Sequence, residues 1–382
     1  MVTSATARAC SGLDRDFVWS ASRHRLRLHY YKSSVGNFGD DLNVWLWPRL
    51  LPDAWDPDDG IRFAGIGTII TTAMPDAEQW IVLGSGAGYG PAPRGFGGPG
   101  WCILSVRGPL SARVLGLPAD KAVTDGALLL NTLPEFQPVA EADRVGTVFV
   151  PHYQALECGA WDEACRRAGI ELLDPRADSR GVVERLRKAR CVIADSMHAA
   201  IIADAMRVPW IPVVTSAEIN TFKWLDWTGS MEVPYRPVGL PASSLDEWVR
   251  SATLGIHGQR YHVSPPTEDG VLRHYRRSAV LKRRPWWPLA QRCGERIYSS
   301  GIKRVLRALH ASRVTLLAGD AWIDGAACAL RSAAEGPSWL SHDRVWRRRG
   351  DQLGDQVDRV RALLRSGAVA PATSATPASP SA

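Results

Sequence analysis

The stretch CVIADSMHAAIIADAMRVP at residues 191–209 decides the predicted fold class. Its first four residues are apolar and strand-like, and Asp195 and Ser196 follow as a natural start for a helix. The helical pattern then continues until Pro209 stops it. His198 therefore lies in the first turn of a helix that follows a strand, where open α/β sheets bind ligands and unpaired N–H groups favour anions. The alternative is a capped core helix whose histidine is merely packed.

Short apolar strands alternate with helices on both sides of this stretch, in two successive series. In the first series, strands are predicted at 26–31 and 103–106, strand-to-glycine units at 62–70 and 80–88, and a strand-turn at 122–130 with Asp125 at its bend. In the second series, strands are predicted at 146–150, 170–173, 191–194 and 210–214, with helices near 161–168, 180–190 and 245–254. The acidic, proline-containing residues 131–143 are typical of a linker. The alternation predicts an α/β protein with two Rossmann-like domains that face each other across a cleft.

The changes of pattern give the predicted domain boundaries. They are a flexible leader at 1–24, an N-terminal Rossmann-like domain at 25–135, a C-terminal Rossmann-like domain at 144–255, a basic helical extension at 256–365 and a disordered tail at 366–382. The tail is predicted to be disordered because its alanine, proline, serine and threonine residues are of low complexity.

The composition is that of a globular protein, with 382 residues, 45% hydrophobic and 22% charged. The seven cysteines are scattered and form no CxxC pair, which fits a reducing cytoplasm better than a disulfide framework. The first residues lack the apolar core of a signal peptide. No run of about 18 uncharged apolar residues is present, so no membrane span is expected. We therefore expect a cytoplasmic protein.

The net charge of +7 is concentrated in one segment. Residues 271–313 contain twelve Lys or Arg and one acidic residue, Glu295. The same segment carries Pro-Trp-Trp-Pro at 285–288 and a helical pattern with apolar Ile302, Val305, Leu306 and Leu309 opposite Lys303, Arg304 and Arg307. A cationic amphipathic helix beside tryptophans suits an anionic membrane surface, at the inner face of the membrane in a cytoplasmic protein. The alternative is that its apolar face docks on the core. Nucleic acid is not expected, because basic charge without a recognition motif is a weak signal.

Side chains that can act as acids, bases or polar ligands lie at the predicted strand ends of both domains. They are Asn37, Asp40, Asp41, Arg107, Asp125, His152, Ser196, His198, Glu218 and Lys223. No dinucleotide fingerprint, Walker loop, nucleophile elbow or metal-ligand spacing is present. An arginine beside a helix N-terminus suits an anion clamp, although a solvated arginine is the alternative. A histidine acid or base with such a clamp favours transfer chemistry on a phosphorylated small molecule.

Several motifs occur in an order that resembles the polysaccharide pyruvyl transferases, especially the ketal-forming branch of exopolysaccharide synthesis. The motifs are GNFGDDLN at 36–43, RFAGIGTII at 62–70, LGSGAG at 83–88, SVRGPLSARVLG at 105–116, TDGALL at 124–129, DSMHAAIIADAMRVPW at 195–210 and FKWLDW at 222–227. The resemblance covers roughly residues 26–230, and its specificity comes from the joint order of the motifs.

The resemblance implies a glycosyltransferase-B-like fold and transfer of pyruvate from phosphoenolpyruvate onto two hydroxyls of a sugar. The product is a cyclic ketal, phosphate is released, and no metal or other cofactor is expected. In the family a histidine that matches His198 is the general acid, and an arginine that matches Arg107 binds the donor. Ser196 departs from the family pattern, because many members have a second donor-binding arginine there. Lys223, Arg207 or backbone amides are the candidate replacements.

The remaining predicted roles concern the acceptor, which is a polysaccharide or its lipid-linked precursor. Asp40 or Asp41, or Glu218, would orient the sugar hydroxyl, although either aspartate could simply cap a helix. Asn37, Ser196 and Asp125 complete the predicted substrate-binding set. Two other functions stay open. One is a nucleotide-sugar-dependent glycosyltransferase of the same fold, and the other is a non-catalytic binding subunit of a polysaccharide assembly complex.

Overall fold

The computed structural model describes residues 25–302 and 313–366. The predicted leader and tail lie outside the described residues, except for the last residue of the final helix, Ser366. Most of the predicted amphipathic helix at 302–309 also lies outside them. The described chain contains two separate parallel β-sheets surrounded by helices.

The first sheet has four parallel strands in sequential order. They are β1 (Arg27–Leu28), β2 (Ile61–Ala64), β3 (Gln79–Leu83) and β4 (Trp101–Ser105), with helix α1 (Phe38–Leu50) after β1 and helix α2 (Pro109–Leu115) after β4. The strands read as nearly unbroken apolar runs, as expected for a parallel sheet that is covered on both faces. Helix α2 begins at Pro109. Proline suits the first position of a helix, because an N–H at that position would have no partner within the helix.

The second sheet has five parallel strands in the spatial order β6-β5-β7-β8-β9. They are β5 (Thr147–Val150), β6 (Glu171–Leu172), β7 (Cys191–Ala194), β8 (Trp210–Val214) and β9 (Val238–Gly239). Counted within this sheet, the order is 2-1-3-4-5, which reverses direction between β5 and β7. In such sheets the crevice at the carboxyl ends of the two strands that flank the reversal is the usual ligand site.

The remaining helices pack around both sheets. They are α3 (Trp161–Ala168), α4 (Ser179–Arg187), α5 (Met197–Ala205), α6 (Thr221–Ser230), α7 (Leu245–Thr253), α8 (Glu268–Lys282), α9 (Trp287–Arg296), α10 (Arg313–Ala334) and α11 (Asp343–Ser366). Short 3-10 helices occupy Ala119–Lys121, Gly126–Thr132, Pro134–Phe136, Glu141–Asp143, Tyr153–Glu157 and Leu254–His257, and a π-helix follows α9 at Ile297–Ile302.

The predicted α/β class is confirmed, and most predicted elements are present. Two of the predicted strands are wrong in extent. The strand predicted at 26–31 is limited to Arg27–Leu28, and residues 29–31 leave the sheet. In the strand-turn predicted at 122–130, the strand is reduced to one isolated bridge at Ala122, and the 3-10 helix Gly126–Thr132 follows the bend at Asp125. The carboxylate of Asp125 starts that helix by accepting the N–H of Ala127.

The two sheets share buried apolar packing. One continuous cluster of buried side chains contains Phe63 and Ile81 from the first sheet and Val150 and Val192 from the second. The sheets therefore form a fused core rather than two bodies separated by water.

The predicted C-terminal extension is helical and packs on both halves of the protein. Helix α10 buries Ala326 and Leu330 beside the second sheet, whereas α11 buries Leu353 and Val357 in the shared core. The side chain of Gln356 in α11 also accepts the hydroxyl hydrogen of Ser105, at the end of β4. The last helix therefore returns to the N-terminal sheet.

Candidate active site

A cavity of about 480 Å³ lies where the carboxyl ends of both sheets meet. Its wall contains His29, Tyr30, Tyr31, Lys32, Asn37, Asp40, Thr68 and Tyr89 from the N-terminal half. From the C-terminal half it contains His152, Tyr153, Gln154, Ser196, Met197, His198, Glu218, Lys223, Gln259, Tyr261 and Gln291. Seven of the ten candidate residues predicted from sequence therefore border one cavity. They are Asn37, Asp40, His152, Ser196, His198, Glu218 and Lys223.

His198 lies in the first turn of α5, as its sequence predicts. Its ring fits against the backbone of Gly39, where an added Cβ atom would collide with the imidazole. Its Nε2 atom is buried and has no hydrogen-bond partner among the described residues. Burial, with smaller effects of Lys223 and Arg107, lowers the pKa of His198 to about 3. The imidazole is thus neutral at pH 7 when no substrate is present.

The two adjacent aspartates of α1 have different roles. The backbone N–H of Asn37 donates to the carboxylate of Asp41, which caps the helix and does not border the cavity. Asp40 does border it, and its carboxylate accepts a hydrogen bond from the side chain of Asn37. A Cβ atom at Gly67 would lie 2.8 Å from Asp40 Oδ1, so a larger residue would displace the carboxylate. Burial raises the pKa of Asp40 to about 7, although the ammonium of Lys223 opposes that shift.

Lys223, in the first turn of α6, supplies a cation to the cavity wall. Its Nζ atom donates to the hydroxyl of Tyr89 over 3.0 Å and lies 4.9 Å from the centroid of that ring. Burial, together with the charge of Arg107, lowers the pKa of Lys223 to about 8. The ammonium form still predominates at pH 7, so this group can bind an anion.

Arg107 is fully buried and does not border the cavity. Its Nε atom lies 3.1 Å from a carboxylate oxygen of Asp226, and its other nitrogens donate to Thr68 Oγ1 and to the carbonyl of Ala87. The sequence predicts that Arg107 contacts the donor, but its guanidinium is already bonded to protein groups. Because Thr68 lines the cavity, the position of Arg107 fixes part of the wall.

Asp195 ties together the carboxyl ends of three strands. Its buried carboxylate accepts the N–H of His152 after β5 and both the N–H and the hydroxyl hydrogen of Thr215 after β8. Asp195 itself follows β7. This bonding fixes the backbone that carries the histidines on the second sheet.

Glu218 borders the cavity beside His152. Its two carboxylate oxygens each lie 2.7 Å from a guanidinium nitrogen of Arg250, which forms a bidentate pair. One of these oxygens is also 3.9 Å from His152 Nδ1. A carboxylate that is already paired in this way is a poor free ligand for a substrate hydroxyl.

The other predicted residues have clear positions. Ser196 lies at the N-cap of α5 and borders the cavity, and its side chain makes no capping hydrogen bond. Asp125 is buried away from the cavity wall, and burial raises its pKa to about 6. Arg207, a candidate replacement for the arginine missing at 196, bonds to Ser341 and Asp343 at the start of α11. Of the two candidate cations, Lys223 and Arg207, Lys223 is therefore the one that borders the cavity.

Several aromatic and amide residues of the cavity wall are not predicted from the sequence. They are His29, Tyr30, Tyr31, Tyr89, Tyr153, Gln259, Tyr261 and Gln291. The sequence pattern predicts a strand over the first three, whereas a shorter strand places them at its carboxyl end, where ligands bind. Tyr261 and Gln291 come from the C-terminal helical region, whose approach to the cavity depends on tertiary packing.

Similarity to known proteins assigns the family. The sequence model of the polysaccharide pyruvyl transferases matches residues 100–216. The succinoglycan biosynthesis protein ExoV of Rhizobium meliloti (strain 1021) is 40% identical over 223 residues, which are 58% of this chain and 70% of that protein. The chain belongs to the polysaccharide pyruvyl transferase family. The resemblance inferred from the motifs is therefore confirmed, and the chain is an enzyme rather than a non-catalytic subunit.

The region matched by the family model contains Arg107, His152, Ser196 and His198 of this pyruvyl transferase, whereas Lys223 lies beyond it. No solved structure is significantly similar to the transferase. Within residues 25–302 and 313–366, no group of three or more His, Cys, Asp or Glu side chains is arranged to hold a metal ion.

Proposed function

We propose that the transferase moves pyruvate from phosphoenolpyruvate to two hydroxyls of a sugar in a cell-surface polysaccharide or its lipid-linked precursor. The product is a cyclic ketal, and phosphate is released without the help of a metal. One observation carries the proposal. The cavity of this family member holds a buried histidine with an unbonded Nε2 atom, a lysine and a buried aspartate, which supply an acid, an anion site and a hydroxyl acceptor.

Lys223 is the proposed anion site for the donor, in place of the arginine that many family members have at position 196. The N-terminus of α5 adds to it, because Ser196 and Met197 border the cavity and a helix N-terminus favours anions. Arg107 acts indirectly in this proposal, by holding Thr68 in the wall and by adding positive charge behind it.

Replacement of Lys223 with methionine is expected to raise the KM for phosphoenolpyruvate about 10- to 100-fold. The reason is that a hydrogen bond to a charged group contributes roughly 1.5–3 kcal/mol, and each 1.4 kcal/mol is about tenfold in affinity. Steady-state kinetics with varied donor measure the change. The exposed residue Lys188 provides the matched control, and Lys188→Met should leave the KM unchanged. An unchanged KM in Lys223→Met would exclude Lys223 as the donor site.

His198 is the proposed proton donor to the methylene carbon of phosphoenolpyruvate. The free imidazole is neutral because it is buried beside cations, but the bound donor brings a phosphate and a carboxylate close to it. Nearby negative charge favours the protonated form and raises the pKa of His198. Donor binding would therefore charge the acid that the reaction needs.

Asp40 is the proposed acceptor of the first hydroxyl proton. Protonation of the donor leaves an oxocarbenium-like centre at its second carbon, and a sugar hydroxyl attacks that centre while Asp40 takes the hydroxyl proton. Burial raises the pKa of Asp40 from its ordinary value, which makes it a stronger base than an exposed carboxylate. Asp41 has no direct part in this scheme, because its carboxylate caps α1.

A glycosyltransferase-B-like arrangement of two Rossmann-like domains is proposed for the fold. It is supported by the two parallel sheets whose carboxyl ends border one cavity, and by the return of α11 to the N-terminal sheet. The fused core between the sheets suggests that domain opening is small in this chain.

The released product tests the proposed donor. Purified transferase incubated with phosphoenolpyruvate and a lipid-linked glycan extract should release inorganic phosphate, and release should require the extract. The competing function, a nucleotide-sugar-dependent glycosyltransferase, would instead free UDP or GDP from a nucleotide-sugar panel. Such an enzyme would need a free carboxylate in the second domain for the donor ribose, and the bidentate pair of Glu218 with Arg250 disfavours that role. Nucleotide release without phosphate release would overturn the proposal.

Membrane contact is proposed for the outer side of α9, at the cytoplasmic face of an anionic membrane. Trp286, Leu289 and Ile297 are 53–61% exposed at helical spacing. The exposed residues Arg283 and Arg292 lie next to them in sequence. Apolar side chains flanked by arginines suit an anionic bilayer surface. The transferase has no described helix with the length and hydropathy that a bilayer crossing requires.

Leu289→Glu is expected to weaken binding to anionic phosphatidylglycerol vesicles about tenfold or more, because burial of a leucine side chain contributes roughly 1.5–3 kcal/mol. Co-sedimentation measures binding. Val145→Glu is the matched control, since Val145 is 67% exposed and distant in sequence, and this variant should bind like the wild type. Lys282 is a poor target here, because its ammonium donates to the carbonyl of Tyr89 inside the protein. Equal binding of Leu289→Glu and the wild type would contradict the proposed surface.

A further inference from the structure

The reversal point of the second sheet is flanked by two histidines, and the proposed chemistry has used one of them. His152 follows β5 and His198 follows β7, and these neighbouring parallel strands pair Val150 with Ala194. Both histidines border the cavity. The N–H of His152 is fixed by the carboxylate of Asp195, so the loop that carries it is held in place.

The surroundings of the His152 ring are those of an oriented base. Its Nδ1 atom is buried, lacks a hydrogen-bond partner among the described residues and lies 3.9 Å from Glu218 Oε1. The side chain as a whole is 22% exposed, and this exposed part faces the cavity that it borders. A carboxylate on one side of an imidazole and substrate space on the other is the arrangement that orients a histidine base. Such contacts are often longer than a hydrogen bond before substrate binds.

The charge around His152 also suits a proton acceptor. Burial lowers the pKa of His152 to about 4, which leaves the ring neutral at pH 7 and able to accept a proton. Glu218 opposes that shift and would stabilise the imidazolium once it forms. Arg250 holds Glu218 in place through its two 2.7 Å contacts. Lys223 and Arg250 are the cations that disfavour the imidazolium of His152.

Formation of a ketal requires a second proton acceptor. Two C–O bonds form at the second carbon of the donor and its C–O bond to phosphate breaks, while the third carbon gains a proton. Both sugar hydroxyls lose a proton. Of these two protons, one restores the proton that His198 gave to the donor, and the other leaves with phosphate or enters solvent. Asp40 can take the first hydroxyl proton, and nothing assigned so far takes the second.

We propose that His152 is a further catalytic residue, which accepts the proton of the second sugar hydroxyl as the ketal ring closes, with Glu218 and Arg250 as its positioning pair. This inference rests on the proposed ketal-forming function. It also gives the buried Glu218–Arg250 pair a role beside the acceptor. Asp40 belongs to the N-terminal half and His152 to the C-terminal half, so the two bases would address two different hydroxyls of one sugar.

The test uses the full chain with phosphoenolpyruvate and an acceptor that supports phosphate release by the wild type. His152→Ala should lower kcat about 10²–10⁴-fold with little change in the donor KM, and added imidazole should restore part of the lost rate. In D₂O, both the wild type and this variant should place deuterium on the third carbon of recovered donor, because the first addition precedes ring closure. His152→Gln offers a second variant of similar size. His342→Ala, at an exposed histidine outside the cavity, is the matched control and should behave like the wild type.

Each result decides the proposal. A folded His152→Ala or His152→Gln protein with wild-type kcat would overturn it. Loss of both phosphate release and deuterium exchange, without restoration by imidazole, would assign His152 a structural role and would also overturn it. If the wild type itself released no phosphate from phosphoenolpyruvate but freed a nucleotide, the ketal-forming function would fail first, which is a distinguishable outcome.

Discussion

Replacement of His198 with alanine is expected to lower the kcat of pyruvyl transfer by about 10²–10⁴-fold, the usual contribution of a general acid. The imidazole is the group proposed to protonate the donor, and its Nε2 atom is buried beside the cavity without a partner among the described residues. The donor KM should change much less, because Lys223 is the proposed anion site. Steady-state kinetics on the folded variant, with phosphate release as the readout, measure both quantities.

The charge state of His198 gives this prediction an independent check. Because burial keeps the free imidazole neutral at pH 7, binding of the anionic donor should take up a proton. Calorimetry in two buffers of different ionisation enthalpy would detect the uptake in the wild type, and the uptake should be smaller in His198→Ala. Wild-type kcat in the folded variant would remove His198 from the mechanism.

The second large effect is expected on stability. Replacement of Asp226 with asparagine should lower the free energy of unfolding by about 3–5 kcal/mol, because it leaves the buried guanidinium of Arg107 without its counter-ion. Both side chains are fully buried and 3.1 Å apart. Asp226 also accepts hydrogen bonds from the N–H and the hydroxyl of Ser111 in α2. Denaturant unfolding measures the loss.

The surface pair of Arg49 and Glu135 provides the control for this prediction. These side chains are 52% and 35% exposed, and exposed pairs contribute little, so Glu135→Gln should not measurably change the unfolding midpoint. Equal stability of Asp226→Asn and the wild type would show that the buried pair is not needed for the fold. Loss of activity in a variant of Arg107 must therefore be interpreted together with its unfolding curve.

The same contact explains why two sequence motifs occur together. Arg107 and Ser111 belong to SVRGPLSARVLG, and Asp226 belongs to FKWLDW, more than one hundred residues later. A Cβ atom at Gly108 would collide with the carbonyl of Asp226, so the glycine permits the close approach of α2 and α6. The sequence around Arg107 predicts an anion clamp. It does not show that the counter-ion of Arg107 is Asp226, which lies in a helix far along the chain.

The strands and helices of the second sheet could be predicted well because their sequence signals are local. The stretch at 191–209 has an apolar run, a capping serine position and a terminating proline, and the structure has β7 and α5 there. The helix predicted at 161–168 matches α3 at both ends. At residues 29–31 the alternation of side chains predicts that the strand continues, but the chain leaves the sheet there and forms part of the cavity wall.

The cavity itself was predicted only in part, because its far wall depends on long-range packing. His198, Asp40 and Lys223 could be found from their positions after strands or in first helical turns. The tyrosines and Gln291 could not, since Gln291 comes from the basic C-terminal region, for which the sequence predicts an extension. Lys282 illustrates this dependence on packing. The sequence predicts it as part of a basic surface, but its ammonium bonds to the carbonyl of Tyr89 and holds α8 against that loop.

The carbon skeleton of the product tests the central claim most directly. Wild-type transferase incubated with phosphoenolpyruvate labelled with ¹³C at its second carbon, and with a glycan acceptor, should give a product whose labelled carbon has the NMR signal of a ketal bonded to two sugar oxygens. Phosphate should appear in equal amount, and His198→Ala should form little of either. A labelled carbon that stays in the donor or in free pyruvate, while a sugar is transferred from a nucleotide donor, would contradict the account.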